Sequence, residues 1–330
     1  MSLLSEALAP AGVMLVGEAL VDEFHEGSVA GGAPFNVARS LAALGRPAIH
    51  LLTRLGADDA AGQLILQSLR RFGLDEAGLQ FDATLPTGRV TVSERAGEGH
   101  VFSIHGPAAW DALELLPAQA LLEVLSPRFF YFGSLAQRAE PSRASLRALA
   151  DRAGELGAIR YLDLNLRPGS SERELAQQSL LRADWLKVND QELAQLLAWF
   201  GSAADALLDP LGPSSALRAA VQQLMAQFDL QQLILTRGGA GYVLFNTLGQ
   251  VLSEGQGQVL PALVDTVGAG DAFSAMLLAA LLGGHAIAPA LALANQYAAA
   301  ICAVRGPIPA DDAFFAPWRA AVMAQGAQTR

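Results

Sequence analysis

Positive charge is scarce in this sequence, and cysteine is nearly absent. The 330 residues hold 22 lysines and arginines against 32 aspartates and glutamates, a formal net charge of −10, with no Lys/Arg-rich run. A surface that neutralises many phosphates is excluded, and with it a general nucleic-acid-binding role. An anionic nucleotide can still bind where a local site supplies positive potential. The one cysteine, Cys302, rules out an internal disulfide framework and fits a reducing cytoplasm. Its apolar setting, Ala298 to Val304, suits a buried inert thiol better than a nucleophile. Long apolar runs are missing too. The longest, Ala272 to Leu282, stops at Gly283-Gly284, short of the ~20 residues needed to cross a bilayer. The N-terminal MSLLSEALAP has no basic region and carries Glu6, so no secretory signal is expected. A soluble cytoplasmic protein with no membrane partner is the expectation.

What is present is apolar and periodic. Hydrophobic residues make up 52% of the chain and charged residues 16%, ample for a large core and unlike a disordered chain. Strand-like and helix-like segments alternate. Gly12 to Ala19 reads as a buried strand, Pro34 to Leu44 as a helix closed by Gly45, and Ile49 to Thr53 as a strand. Ala60 to Phe72 follows as a helix stopped by Gly73. Further strands are expected at Phe129–Phe132, Ile159–Leu164, Trp185–Val188 and Leu233–Thr236. Helices are expected at Ser142–Leu156, Glu172–Leu181, Gln191–Phe200 and Ser215–Phe228, with a surface loop from Gly201 to Ser215. This rhythm predicts an α/β fold, a three-layer sandwich with helices on both faces of a mostly parallel sheet. Thr87 to His105 departs from it, alternating in strand fashion about an Arg95–Gly99 turn. That reads as an antiparallel hairpin, either a lid or an ordinary sheet edge. No internal repeat or interdomain linker is apparent, so one domain over residues 1–330 is expected.

The segment richest in chemistry is Asp265-Thr266-Val267-Gly268-Ala269-Gly270-Asp271, followed at once by the helical AFSAMLLAALL. Small residues admit a ligand close to the backbone, and a helix starting there aims N–H groups at anionic oxygens. Asp271 then stands beside that anion site, where its carboxylate can accept a proton; as a bare G-A-G-D, the same residues suit an ordinary helix start. No G-x-G-x-x-G turn follows the first strand, where Glu18-Ala19-Leu20-Val21-Asp22 stands instead. A dinucleotide-dependent dehydrogenase is therefore not expected.

Asp265 to Asp271 resembles the C-terminal signature of the ribokinase-like (PfkB) carbohydrate kinases. Gly31-Gly32-Ala33-Pro34-Phe35-Asn36-Val37-Ala38 is similar to the N-terminal signature of that family, in a form most like fructokinases. Gly17 with Asp22, Leu55 to Gly62, Asp163-Leu164-Asn165-Leu166-Arg167-Pro168, Asn189 to Glu192, and Thr236 to Gly241 resemble further family segments in the family's order. The likeness spans about residues 12 to 310.

This resemblance implies an ATP-dependent sugar kinase with a ribokinase-like fold and a small antiparallel β lid, formed by about residues 18–30 and 87–106. Asp271 would be the base, and the amides of Gly268, Ala269 and Gly270 the anion hole. Asp22, Gly31, Gly32 and Asn36 would hold the sugar, and Arg167 would meet a substrate or phosphate oxygen. Asn189, Thr236, Gly238, Gly241 and Asn295 would line the nucleotide pocket. Glu192 would hold Mg²⁺ through water, since that ion gives up its hydration reluctantly. Asp265 would help hold a monovalent cation such as K⁺, although Ala303 to Pro307 departs from the form expected for that site. Fructose is the first sugar implied; 2-keto-3-deoxygluconate is the alternative, and ribose or a non-catalytic sensing role ranks lower. Lids in this family also pair subunits, which implies a homodimer.

Overall fold

The computed structural model describes residues 12–95, 99–166, 172–201, 213–258 and 262–324. Along the chain run strands β1 (Val13–Val16), β2 (Leu20–Phe24), β3 (Gly27–Gly31), β4 (Ile49–Gly56), β5 (Leu79–Asp82), β6 (Gly88–Arg95) and β7 (Gly99–Ile104). Strands β8 (Phe129–Phe132), β9 (Ile159–Asp163), β10 (Trp185–Asn189), β11 (Gln232–Thr236), β12 (Tyr242–Asn246) and β13 (Val251–Gly255) follow. The first helices are α1 (Ala33–Ala43), α2 (Ala60–Arg71), α3 (Leu115–Leu125), α4 (Glu140–Glu155) and α5 (Glu172–Leu180). The later ones are α6 (Asp190–Phe200), α7 (Ser215–Phe228), α8 (Ala269–Leu282), α9 (Ile287–Cys302) and α10 (Ala316–Met323).

Nine strands form one sheet in the order β13-β12-β11-β10-β9-β8-β1-β4-β5. From β11 to β5 neighbouring strands pair in parallel. Because side chains alternate across a sheet, β1 divides itself between two cores. Val13 and Leu15 pack on the face covered by α1, α2, α8, α9 and α10, while Met14 and Val16 pack on the face covered by α3 to α7. The expected three-layer sandwich is thus present. Helix α8 lies deep in its layer, and every residue from Ala272 to Leu281 is buried, which explains why its sequence is apolar all round.

The antiparallel edge pair β12 and β13 escaped the sequence reading. Strands β2 and β3 fall in the 18–30 segment that the resemblance placed in the lid. With β6 and β7 they build the second sheet, in the order β3-β2-β6-β7. It consists of two antiparallel hairpins joined by a parallel β2–β6 pairing, because β6 arrives only after the chain has passed through β4, α2 and β5. The turn expected at Arg95–Gly99 and the Gly201–Ser215 loop fall largely outside the described residues.

Chain order reverses at β1, whose neighbours are β4 on one side and β8 on the other. In open parallel sheets, ligands bind beyond the carboxyl ends of the strands at such a switch point. Asp163, Asn189 and Thr236 are the last residues of β9, β10 and β11.

Candidate active site

Helices α1 and α8 begin at the same place. Gly32 precedes α1 with φ 105° and Gly268 precedes α8 with φ 77°, a backbone region strained for residues with a Cβ. A Cβ on Gly268 would also run into Pro307. First-turn N–H groups have no acceptor within their own helix, so the start of α8 offers donors and positive potential to this space; at α1, Ala33 N already donates to Glu18 Oε1 at 3.2 Å and Pro34 has no N–H. Asn36 and Asp271 project there. Asn36 Nδ2 donates to Asp271 Oδ2 at 2.8 Å, joining residues 235 apart in sequence.

Around this contact lies a cleft of about 720 Å³, a size suited to small-molecule ligands. At one end Asp22, Gly32 and Asn36 line it beneath Val90 and Ile104 of the second sheet. At the other end stand Thr236, Gly238, Gly241 and Asn295. Gly268 to Asp271 lie between them, with Asn189 and Glu192. Gly31 pairs with Leu20 across β2 and β3, next to the Asp22 carboxylate. Asp265, named for a monovalent cation, accepts from Val267 N at 2.9 Å and from Gly306 N at 3.0 Å and so braces the loop. Arg167 lies outside the described residues. Cys302 is half-buried rather than buried and borders the cleft; burial, then the Asp265 charge, pushes its thiol up and disfavours the thiolate.

The sequence reading missed a polar network in the floor of the cleft. Lys187 Nζ donates to both oxygens of Asp163, at 2.8 and 2.9 Å. Ser274 Oγ (2.9 Å) and Tyr131 OH (3.2 Å) also donate to Asp163. Burial works against the ammonium, but the attraction of Asp163 outweighs it and holds the Lys187 pKa above the ordinary lysine value. A Cβ built on Gly270 would lie 3.4 Å from Nζ, so a fixed positive charge sits against the start of α8. Lys187 is the only lysine in the chain. A lone lysine inside the apolar segment WLKVN was the available signal.

Glu192 and Asn189 form a reciprocal cap at the start of α6. Glu192 N donates to Asn189 Oδ1 and Asn189 N to Glu192 Oε2, both at 2.9 Å, while Leu166 N donates to Glu192 Oε1. Burial pushes the Glu192 carboxyl up, against the pull of these amides and Lys187. Among the described residues, no three His, Cys, Asp or Glu side chains gather to hold a bare metal ion. A carboxylate accepting two amides still has acceptor sites for metal-bound water, so Glu192 fits a hydrated Mg²⁺. No helix among the described residues is long and apolar enough to cross a membrane.

Residues 14–313 match the family described as pfkB family carbohydrate kinase. Probable fructokinase-4 of Arabidopsis thaliana is 31% identical over 297 residues, covering 85% of this chain and 83% of its own length. A double mutant of fructokinase from Vibrio cholerae O395, solved with fructose, ADP and potassium ion, is 25% identical with a TM-score of 0.74, over 93% of this chain and 97% of that one. Aminoimidazole riboside kinase from Salmonella enterica, solved with aminoimidazole riboside and an ATP analogue, is 25% identical with a TM-score of 0.73, over 93% and 99%. With a family match over residues 14–313 and a relative 31% identical over 85% of the chain, the chain belongs to the pfkB family of carbohydrate kinases and is a sugar kinase.

Proposed function

We propose that the protein transfers the γ-phosphoryl group of ATP to a primary hydroxyl of fructose. The observation that carries this reading is Asp271, seated at the start of α8 and bonded to Asn36 within one cleft. Asp271 takes the proton of the attacking hydroxyl. Asp22 and Asn36 orient the sugar, whose hydroxyls suit carboxylate and amide partners. The amides of Gly268, Ala269 and Gly270, with Lys187 beneath, stabilise the charge that develops on the transferring group. Glu192 and Asn189 hold the water shell of Mg²⁺, which when bound neutralises phosphate oxygens. Thr236, Gly238, Gly241 and Asn295 receive the nucleotide. The second sheet covers the sugar and excludes water, so that ATP is not hydrolysed. Pairing of two copies through that sheet, and a potassium ion beside Asp265, belong to the same proposal. The similarity to fructokinases supports fructose over 2-keto-3-deoxygluconate.

A coupled ADP-release assay over fructose, 2-keto-3-deoxygluconate, ribose and aminoimidazole riboside tests the substrate, with and without potassium. Fructose should give the highest kcat/KM; a higher value for another acceptor overturns the assignment. Asp271→Ala should lower kcat by on the order of 10²–10⁴-fold with ATP affinity, measured by calorimetry, retained. Near-normal turnover in that variant would remove Asp271 from its role.

A further inference from the structure

Arg39 has a place that the reaction has not yet explained. It lies on α1 one turn beyond Asn36 and is only 4% exposed. Its guanidinium stacks on the Phe35 ring at 4.4 Å. It donates to the carbonyl of Ala30 at 2.8 Å, to Ser68 Oγ of α2 at 3.1 Å, and to Asn36 Oδ1. All three acceptors are neutral groups. Burying a cation among neutral partners is costly unless an anion further off repays it. Burial lowers its pKa to about 10, and the attractions of Asp271 and then Asp22 oppose that loss; Arg39 is therefore charged at neutral pH.

The bond to Asn36 settles which way that amide points. A guanidinium has donors only, so the oxygen of Asn36 must face Arg39 and its nitrogen must face Asp271. The flipped amide would set donor against donor at Arg39 and acceptor against acceptor at Asp271. Two hydrogen bonds would become two repulsions. With an apolar residue at position 39, only one of these contacts would select the orientation.

We propose that Arg39 is a positioning residue for phosphoryl transfer: through Asn36 it locks a donor onto Asp271, and its buried charge keeps Asp271 ionised to accept the hydroxyl proton. The proposal rests on the reading of Asp271 as the base. Asp271 is bonded to Asn36 and attracts Arg39 from α1 and Lys187 from β10, and its charge also acts on Tyr131 from β8, while Asp22 from β2 and Asp163 from β9 line the same cleft. All but Arg39 are unchanged in an Arg39 variant, so a change in the acid limb reports on Arg39. Losing a nearby positive charge raises a carboxylate pKa, and the limb must move to higher pH.

The experiment is the pH dependence of kcat for fructose at saturating ATP, in the intact enzyme and in Arg39→Met, Arg39→Lys and Asp271→Asn. Arg39→Met should lower kcat near neutral pH on the order of 10-fold and raise the acid limb by about one pH unit. Arg39→Lys, which keeps the charge and one donor to Asn36, should leave the limb within a few tenths of a unit of wild type. Should Arg39→Met fail to fold, Arg39→Gln replaces it, with a donor kept, the charge lost and the limb expected to rise. A purely structural role would lower the melting temperature without moving the limb, and that result overturns the proposal. So does a limb that moves equally in the Lys and Met variants. If Asp271→Asn retains turnover, the reading of the base fails instead, which keeps the two failures apart.

Discussion

Replacing Lys187 by methionine removes the cation from a buried pair and leaves the anion in place. Asp163 is then left in the interior with the hydroxyls of Ser274 and Tyr131 as donors, at 2.9 and 3.2 Å. Both residues of the pair are about 5% exposed or less, so solvent cannot take over the lost bonds. Breaking such a pair on one side costs about 3–5 kcal/mol, whereas replacing both partners by residues of similar shape is close to neutral. Lys187→Met should therefore lower unfolding stability by about that amount in urea titrations. Lys187→Met combined with Asp163→Leu should recover most of it. Activity should separate from stability. In the double variant the Lys187 charge no longer faces the start of α8, and ADP release should stay at least on the order of 10²-fold below wild type. If the double variant were as unstable as the single, the buried charge would not be the cause of the loss. If it turned over normally, Lys187 would have no part in stabilising the transferring group.

Gly268→Ala forces a Cβ onto a residue at φ 77° and into Pro307. We expect about 1–2 kcal/mol of strain and a fall in kcat larger than any rise in fructose KM, read from steady-state kinetics and urea unfolding. Asp82 offers a pH test. The amides of Leu85 and Thr84, accepted at 2.8 Å each, hold its carboxyl down to about 2. A depressed carboxyl stabilises the fold above its unfolded pKa and ceases to do so as pH falls through the folded one. Asp82→Asn should thus be less stable than wild type near neutral pH, and the gap should narrow from about pH 4 towards pH 2; a gap that widens on acidification contradicts this.

Most of the parallel sheet was legible because β1, β4 and β8 to β11 are short apolar runs bounded by glycine or a polar cluster; β5, which reads LQFD, carries too little apolar pattern and was not read. Gly45 and Gly73, both at positive φ, end two helices as read. The edge strands β12 and β13 were not legible. β12 reads YVLFN, apolar like its parallel neighbours, and β13 alternates only over five residues. Which way a strand runs depends on its turn and its partner. In the site, Asp271 and Asn36 were found through their motifs, yet nothing in either motif says that the two side chains touch.

Lys187, Asp163 and Arg39 went unassigned for a common physical reason. Each is a charged residue in a segment whose other members are core, and a linear reading treats such a residue as an exception to be solvated somewhere. Here the exceptions are solvated by one another and by the reacting groups. Lys187 is neutralised by Asp163, its register partner across β9 and β10, and Arg39 is held by Asn36 and attracted by Asp271. A buried charge is stable only when the fold delivers its partner. Its presence in an apolar segment therefore points to a second charged or polar segment elsewhere, and the place where the two meet is a place where charge is handled. In this chain Lys187 and Arg39 approach Asp271 from the floor and from α1 respectively. Among the described residues, the buried lysine and the buried arginine thus converge on the carboxylate that the proposed chemistry needs ionised.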